Sequence, residues 1–518
     1  MIFIRSLPRP SAKASSRPVS LPKSGSALFD ASAYRYDLVS LFTHLAALAT
    51  SHAARSQLFE TGAHLDYRPS PFFKQVLALV GGLGYDFAQA CHKVAHMAQE
   101  EVMRNLLLRF GNSLASGEAE SAFLRRELQV LMQDYVNDYE RDLESLRKWT
   151  DAFVALEATA IMIVLVAIVS NMIYNLGPLF LVVTEVGVLG VSVLGAWLVR
   201  RVAPFDPMVQ KAGAGSQEPL RLRRLAAFLT PISLVGTAGT YSVTHSMGVA
   251  LVVMALFLAP LGVYVYLLER KVHSRDRDIA DFVRSLGGVT AARGSTVADS
   301  LRHMDRRSIG SLEPELRRLL QRLDAGVDSA RAWARFIGET SSDLVKRVVS
   351  AFWDAVRMGG DPAIAGNLAA DLGLQAYLLR SRRRLVSSTF HFVIIPLHAI
   401  LSGLLLFVNE VVTSFNAALS QAQNVLSETA NISSVSLQEV GIPTGLAFHN
   451  MDTGYIATSV TVIALALTVI NSLVAQIVSG GSPYKIALYG ALTGGATGLA
   501  LTLIPILAQR MFGGITLT

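Results

Sequence analysis

Two kinds of hydrophobic spacing alternate along this chain of 518 residues. In the first, apolar residues recur at intervals of three and four: Phe282, Leu286 and Val289; Leu316, Leu319, Leu320 and Leu323; Val345, Val348, Val349 and Phe352. That interval places them on one helical face and predicts short amphipathic helices packed together. In the second, apolar residues run on without a polar face, as from Ala160 to Val169 and from Leu179 to Val199. Such runs approach the roughly 20 residues that cross a bilayer core.

Three punctuations divide the amphipathic block from about Asp278 to Phe392. They are Arg293-Gly294-Ser295-Thr296, Asp324-Ala325-Gly326-Val327-Asp328 and Met358-Gly359-Gly360-Asp361-Pro362. Each sets a glycine where a helix can stop and a Ser, Thr or Asp where the next can be capped. Asp361-Pro362 is the clearest, because proline at the first helical position loses no bond. A bundle of about six short helices follows from this, with the last running unbroken from Asp361 into the apolar stretch at Phe390.

A second block, from Tyr34 to Thr150, matches the later one in register. Gly84 falls on Gly326, Asp86 on Asp328, Ala88 on Ala330, Phe110 on Phe352 and Gly117 on Gly359. An internal duplication leaves such a register; a chance match between two amphipathic blocks is the alternative. The copies differ in charge: the later half of the first is acidic, whereas the second is rich in arginine.

These patterns predict an all-α, polytopic membrane protein with two repeated cytoplasmic helical bundles and about seven transmembrane helices. Residues 1–29, basic and rich in Pro and Ser, are expected to be a disordered arm. Residues 30–150 form the first bundle, 151–268 four spans, 269–388 the second bundle and 389–518 three more spans. The connections after Val199, Leu268 and Arg380 are rich in Arg and Lys, whereas 409–454 has neither. The bundles are therefore assigned to the cytoplasm and 409–454 to the outside, since positive loops stay inside. Four spans between the copies would make the repeat parallel. Asn431-Ile432-Ser433, in the outer segment, fits the acceptor pattern for N-glycosylation.

Composition narrows the chemistry. With 51% hydrophobic and 16% charged residues, the mean hydropathy of +0.41 is too high for an ordinary soluble protein. Net charge is +7, but the basic residues are spread without an aromatic platform, so nucleic acid is not an expected partner. The single cysteine, Cys91, allows no internal disulfide. No phosphate-binding Gly-x-x-x-x-Gly-Lys-Ser/Thr loop, His-Glu-x-x-His pair or nucleophile elbow is present, so no enzymatic activity and no cofactor are expected. Cys91, His92, His96 and Glu100 come nearest to a metal set, although Cys91 projects away from the other three on a helix, and no metal site is assigned.

Two groups stand out as candidate functional residues. Arg302, Arg306, Arg307, Arg317, Arg318 and Arg322 cluster on the early helices of the second bundle, where they form a docking surface for an acidic partner or a solvated face paired to nearby acids. Glu185 lies inside an apolar run, where a carboxylate is costly and faces protein or water. Asn171, His391, His398 and Asn471 suit interhelical hydrogen bonding.

The Gly294–Leu301 and Gly326–Ala330 segments, with the Gly359-Gly360-Asp361 turn, occur in order, are repeated once and are attached to membrane spans. In this the chain resembles the platform proteins of type II secretion and type IV pilus machines (GspF, PilC, TadC), and with its larger membrane part the archaeal ArlJ (FlaJ) branch. The resemblance implies a non-enzymatic membrane platform that couples a hexameric cytoplasmic secretion ATPase to the assembly of pilin-like or archaellin-like subunits. It also implies ATPase docking at the arginine cluster and a homo-oligomer, a dimer for instance. The chain departs from the bacterial pattern, which carries an acidic residue ahead of a Gly-Leu turn in each copy. Asp354 faces Asn112 across the repeat, and no leucine follows Gly117 or Gly359. A transporter or permease, for which Pro231, Pro260, Pro396 and Pro505 could break helices, and a membrane scaffold or receptor are the rival readings.

Overall fold

The computed structural model describes residues 27–512 apart from 52, 175, 211–214, 305 and 434–452. Most of the basic arm and the centre of the 409–454 segment lie outside the described residues. Among the described residues sixteen α-helices follow one another: α1 Ala27–Leu48, α2 Arg55–His64, α3 Ser70–Leu83, α4 Phe87–Met97, α5 Glu101–Ser116, α6 Glu120–Tyr174, α7 Pro178–Val202, α8 Gln217–Thr244, α9 Met247–Arg293, α10 Val297–His303, α11 Glu313–Asp324, α12 Ser329–Thr340, α13 Asp343–Arg357, α14 Pro362–Ser433, α15 Thr453–Ser479 and α16 Ile486–Phe512. Among the described residues the one strand-like feature is an antiparallel bridge between Val209 and Ser342. The chain is an all-α, multi-pass membrane protein.

The turns form for the reasons their residues suggest. Gly84, Gly117, Gly326 and Gly359 all sit at positive φ, between 68° and 83°, where a side chain would be strained. Asp86 caps α4 through the Ala88 amide at 3.1 Å, and Asp328 caps α12 through Arg331 at 3.1 Å. Asp361 accepts from the amides of Ala363 and Ile364 at 2.8 and 3.0 Å, opening α14. Thr296 and Ser342 cap α10 and α13 in the same way.

Two blocks therefore carry one order of elements. Helices α1 to α5 and the start of α6 are followed, 242 residues on at Gly84/Gly326 and Gly117/Gly359, by the end of α9, α10 to α13 and the start of α14. Their buried faces merge into one core that contains Phe59, Phe73 and Phe110 from the first block and Phe282, Phe336 and Phe352 from the second. Phe153 and Phe390, from the apolar parts of α6 and α14, close that core where it meets the membrane helices.

The boundaries expected at 150, 268 and 388 fall inside continuous helices. α6 has 55 residues, α9 has 47 and α14 has 72. At a rise of 1.5 Å per residue, α14 alone is about 108 Å long. Each runs from the amphipathic block into the apolar layer without a break, and α14 continues past Val408 to Ser433.

Among the described residues six helices, α6, α7, α9, α14, α15 and α16, are long and apolar enough to cross a membrane, against the seven expected. The difference is α8, at the expected third span. Its Ser and Thr residues and Pro231 dilute its apolar character, yet Thr237, Thr240 and Thr244 each donate to the carbonyl four residues back, at 2.6 to 2.7 Å. The hydroxyls are thus satisfied within the helix. α8 packs along the apolar part of α9 through Leu222 and Ala226 against Leu261, Val265 and Leu268. α9 packs closely on α16, where a methyl group on Gly262 would lie 2.5 Å from the Cα of Leu488. Pro231, Pro260, Pro396 and Pro505 all lie inside helices that continue through them.

Candidate functional site

The residues with the most elaborate chemistry sit where the amphipathic blocks meet the apolar layer. After α7 the chain runs extended from Ala203, and both blocks hold it. The Phe205 amide donates to Ser32 of α1 at 2.9 Å, the Gln210 amide to the Ser341 carbonyl at 3.0 Å, and the Asp343 amide to the Met208 carbonyl at 3.1 Å. Arg380 of α14 then reaches across. It pairs with Asp206 of this strap at 2.8 Å and Asp276 of α9 at 2.6 Å, and donates to the Pro207 carbonyl at 2.9 Å. Three residues on, Arg383 donates to the Pro204, Ile477 and Val478 carbonyls at 2.6, 2.9 and 3.3 Å. One face of α14 thus joins the strap to α9 and to the end of α15.

Two further buried arginines tie neighbouring elements together. Arg275 of α9 pairs with Glu315 of α11 at 2.6 Å and Glu218 of α8 at 3.3 Å, and donates to the Thr340 carbonyl at 2.7 Å. Arg347 of α13 pairs with Asp37 of α1 and Asp343, both at 2.7 Å, and its guanidinium lies 4.1 Å from the ring centre of Tyr36 and 4.9 Å from that of Tyr67. Burial opposes that charge, but Asp343, the two phenols and Asp37 more than offset it, and the pKa of Arg347 lies well above its ordinary value. Arg382 bridges to Glu140 of α6. Arginine suits these places because its flat fork meets several acceptors at once.

A second polar group lies among the apolar helices. Glu157 of α6, 1% exposed, accepts from Ser192 of α7 and from Asn471 of α15, each at 3.1 Å. Asn471 also meets His398 of α14 at 3.1 Å, and His398 meets Thr497 of α16 at 3.0 Å. Five helices are therefore stitched by one chain of hydrogen bonds, with Thr468 closing it at 2.7 Å from Thr497. His391 bonds the Ala475 carbonyl at 2.9 Å.

The sequence-predicted residues fall elsewhere. Glu185 is half-buried beside a cleft of about 20 Å³ lined by Ile168, Thr184, Ser459 and Ile463, away from the Glu157 group. Within the arginine cluster, Arg302 pairs with Asp324 at 2.6 Å, Arg317 with Glu313 at 2.9 Å, and Arg318 with Glu315 and Glu339 at 3.1 and 2.9 Å. Arg322, mostly buried, also pairs with Glu339. The side chains of Arg306 and Arg307 lie outside the described residues. Cys91 is buried, which pushes its thiol up to about 12, and His96 is exposed. Among the described residues no three His, Cys, Asp or Glu side chains gather as metal ligands.

By sequence alone Arg380–Arg384 is a charge run at the end of the second block, and Glu157 is one more acidic residue ahead of the apolar run from Ala160. A helical register held the signal. Arg380 and Arg383 follow Ala369, Ala376 and Leu379 on the buried stripe of α14, and Glu157 follows Phe153 and precedes Ile161 on that of α6.

No family model matches the chain, and no solved structure matches it. It is similar to two curated proteins, both called Flagella accessory protein J. That of Methanocaldococcus jannaschii is 24% identical over 306 residues, covering 57% of this chain and 54% of that protein. That of Methanococcus voltae is 21% identical over 306 residues, covering 57% and 55%. The chain thus spans about half the length of the curated relatives it matches. The resemblance to the archaeal ArlJ (FlaJ) branch is borne out.

Proposed function

We propose that this chain is the membrane platform of an archaellum or related type IV filament machine. The observation that carries this reading is the passage of α6, α9 and α14 from the paired bundles straight into the apolar layer, in a chain similar to Flagella accessory protein J. A platform has to pass displacement from a cytoplasmic motor to subunits in the bilayer, and a continuous helix with a locked joint does so without dissipating it in loops. The four buried arginines are the lock. In this reading both bundles hang in the cytoplasm, and α8 crosses with α9 as a hairpin, giving seven crossings. A hexameric secretion ATPase presses on the second bundle at Arg302, Arg306, Arg307, Arg317, Arg318 and Arg322. Pilin-like or archaellin-like subunits leave the bilayer along the helices near Glu185, and two copies of the chain form the base. The chain performs no catalysis itself.

The unbroken helices at Pro231, Pro260, Pro396 and Pro505 weigh against a permease, which needs broken helices around a midplane site. Purification of the full chain from native membranes tests the proposal. A cytoplasmic ATPase and a pilin-like subunit are expected to come with it, and Arg302→Glu, Arg317→Glu and Arg318→Glu together are expected to cut ATPase capture about tenfold, roughly 1.4 kcal/mol. Capture of a solute-binding protein, with no ATPase or filament subunit, would overturn it.

A further inference from the structure

A cavity of about 400 Å³ opens between α9, α14 and the turn joining α15 to α16. It lies where exposed side chains change from apolar to charged. On α9, Tyr266 and Leu267 are exposed and Arg270 follows; on α14, Arg384 precedes Leu385 and Phe392, which are 68% and 82% exposed. That change marks the level of the bilayer surface, and an exposed tyrosine is at home there.

The lining is unevenly charged. Arg270, Arg380, Arg383, Arg384 and Lys485 face it, against the carboxylates of Asp206 and Glu269. Arg380 is satisfied by Asp206 and Asp276, and Lys485 by Glu269 at 2.6 Å. Arg270, Arg383 and Arg384 make no ion pair among the described residues. Arg383 is 3% exposed; it meets three backbone carbonyls and the Tyr139 phenol but no carboxylate among the described residues, so a buried cation borders the cavity without a counter-charge. Burying an unpaired charge is costly, and an anion in the cavity would relieve the cost.

The surroundings are shaped around that cation. Gly480, at φ 66°, lies so near the guanidinium of Arg383 that a methyl group there would approach its Cζ to 2.5 Å. Gly481, at φ 76°, likewise leaves room for the Glu269 carboxylate, which accepts from the Ser482 amide at 2.7 Å. Three arginines without a carboxylate partner among the described residues suit a phosphate.

We infer that this cavity binds the phosphate of an acidic phospholipid headgroup, whose chains lie along α9 and α14 beside Leu267 and Phe392. A free phosphate shares the chemistry, but the lipid is favoured by the cavity's level at the bilayer surface and by the apolar flank beneath it. Basic pockets between membrane helices on the inner side bind acidic headgroups elsewhere for the same reason. The inference rests on the chain's embedding in a membrane, not on its part in a filament machine.

Native mass spectrometry of the full chain in detergent tests it, with phosphatidylglycerol, phosphatidylcholine and inorganic phosphate as probes. Phosphatidylglycerol is expected to stay bound and phosphatidylcholine to leave. Arg270→Ala with Arg384→Ala, both exposed and outside the buried joint, is expected to weaken phosphatidylglycerol retention about thirtyfold, roughly 2 kcal/mol, with an unchanged melting temperature. Arg284→Ala with Arg335→Ala, of equal net charge, is expected to leave retention as in the parent. Equal retention of the two lipids, or retention unaffected by Arg270→Ala and Arg384→Ala, overturns the inference. Displacement of phosphatidylglycerol by millimolar inorganic phosphate overturns the lipid assignment in favour of the free ion. Loss of captured ATPase by that variant with lipid retention intact overturns it in favour of a protein dock.

Discussion

At the scale of single residues, the contrast is between arginines that are locked and arginines that are merely paired. Arg347 stands between Asp37 and Asp343 with both rings against it, and its removal would leave a buried carboxylate and a partly buried one together. Arg347→Met is therefore expected to lower stability by about 3–5 kcal/mol, as loss of one partner from a buried pair does. Arg302, half-exposed beside Asp324, is expected to cost about 0–1 kcal/mol on substitution by alanine. Thermal melts of the detergent-purified variants measure both, and equal losses would contradict the distinction. Glu157→Leu strips Asn471 of an acceptor and is expected to cost about 1 kcal/mol, whereas Glu157→Gln retains an oxygen for it and is expected to cost less. These residues were the least legible in the sequence. A buried arginine and a surface arginine are the same letter, and their separation needs the register of the helix together with the identity of what faces it. Arg347 meets Asp37 more than 300 residues away, a pairing no local pattern encodes.

At the scale of elements, the sequence was far more readable. Asp361-Pro362 announces the start of α14, the glycine stops mark the ends of α3, α5 and α9, and the spacing of Val345, Val348, Val349 and Phe352 marks the buried face of α13. These signals are local: a cap, a positive φ and a periodicity each depend on a few adjacent residues. The continuity of α6 and α9 across the membrane boundary was not read, because a change from amphipathic to apolar composition looks like a domain edge whether or not the helix breaks. For α14, continuity has a testable consequence. Leu385 is 68% exposed and lies between the arginine joint and the apolar part. Leu385→Pro removes one helical hydrogen bond and bends the rod, at about 3 kcal/mol. It is expected to abolish filament formation with the protein still in the membrane, while Leu385→Ala behaves as the parent. Electron microscopy of cells and immunoblots of membranes give the two readouts, and filaments made by Leu385→Pro would show that α14 need not be rigid. Gly262→Val addresses the α9–α16 contact. The added side chain meets the backbone of Leu488, which cannot turn aside, so a loss of about 1–3 kcal/mol is expected in the same melts.

At the scale of the whole molecule, two blocks with one order of elements share a core and are joined to the membrane base by helices that belong to both. The register of Gly84 with Gly326 and of Gly117 with Gly359 is carried by left-handed glycines at corresponding helix ends, and Asp86 and Asp328 cap the corresponding next helices. The two bundles share a core and a buried arginine, so displacement of one is felt by the other. The central claim is that both bundles lie on the same side of the bilayer, opposite the far end of α14. Labelling with a membrane-impermeant maleimide, in a Cys91→Ala background, tests it with Arg126→Cys, Arg317→Cys and Ala418→Cys in inverted and right-side-out vesicles. Arg126→Cys and Arg317→Cys are expected to label in inverted vesicles alone, and Ala418→Cys in right-side-out vesicles alone. Labelling of Arg126→Cys and Arg317→Cys from opposite sides would contradict the account.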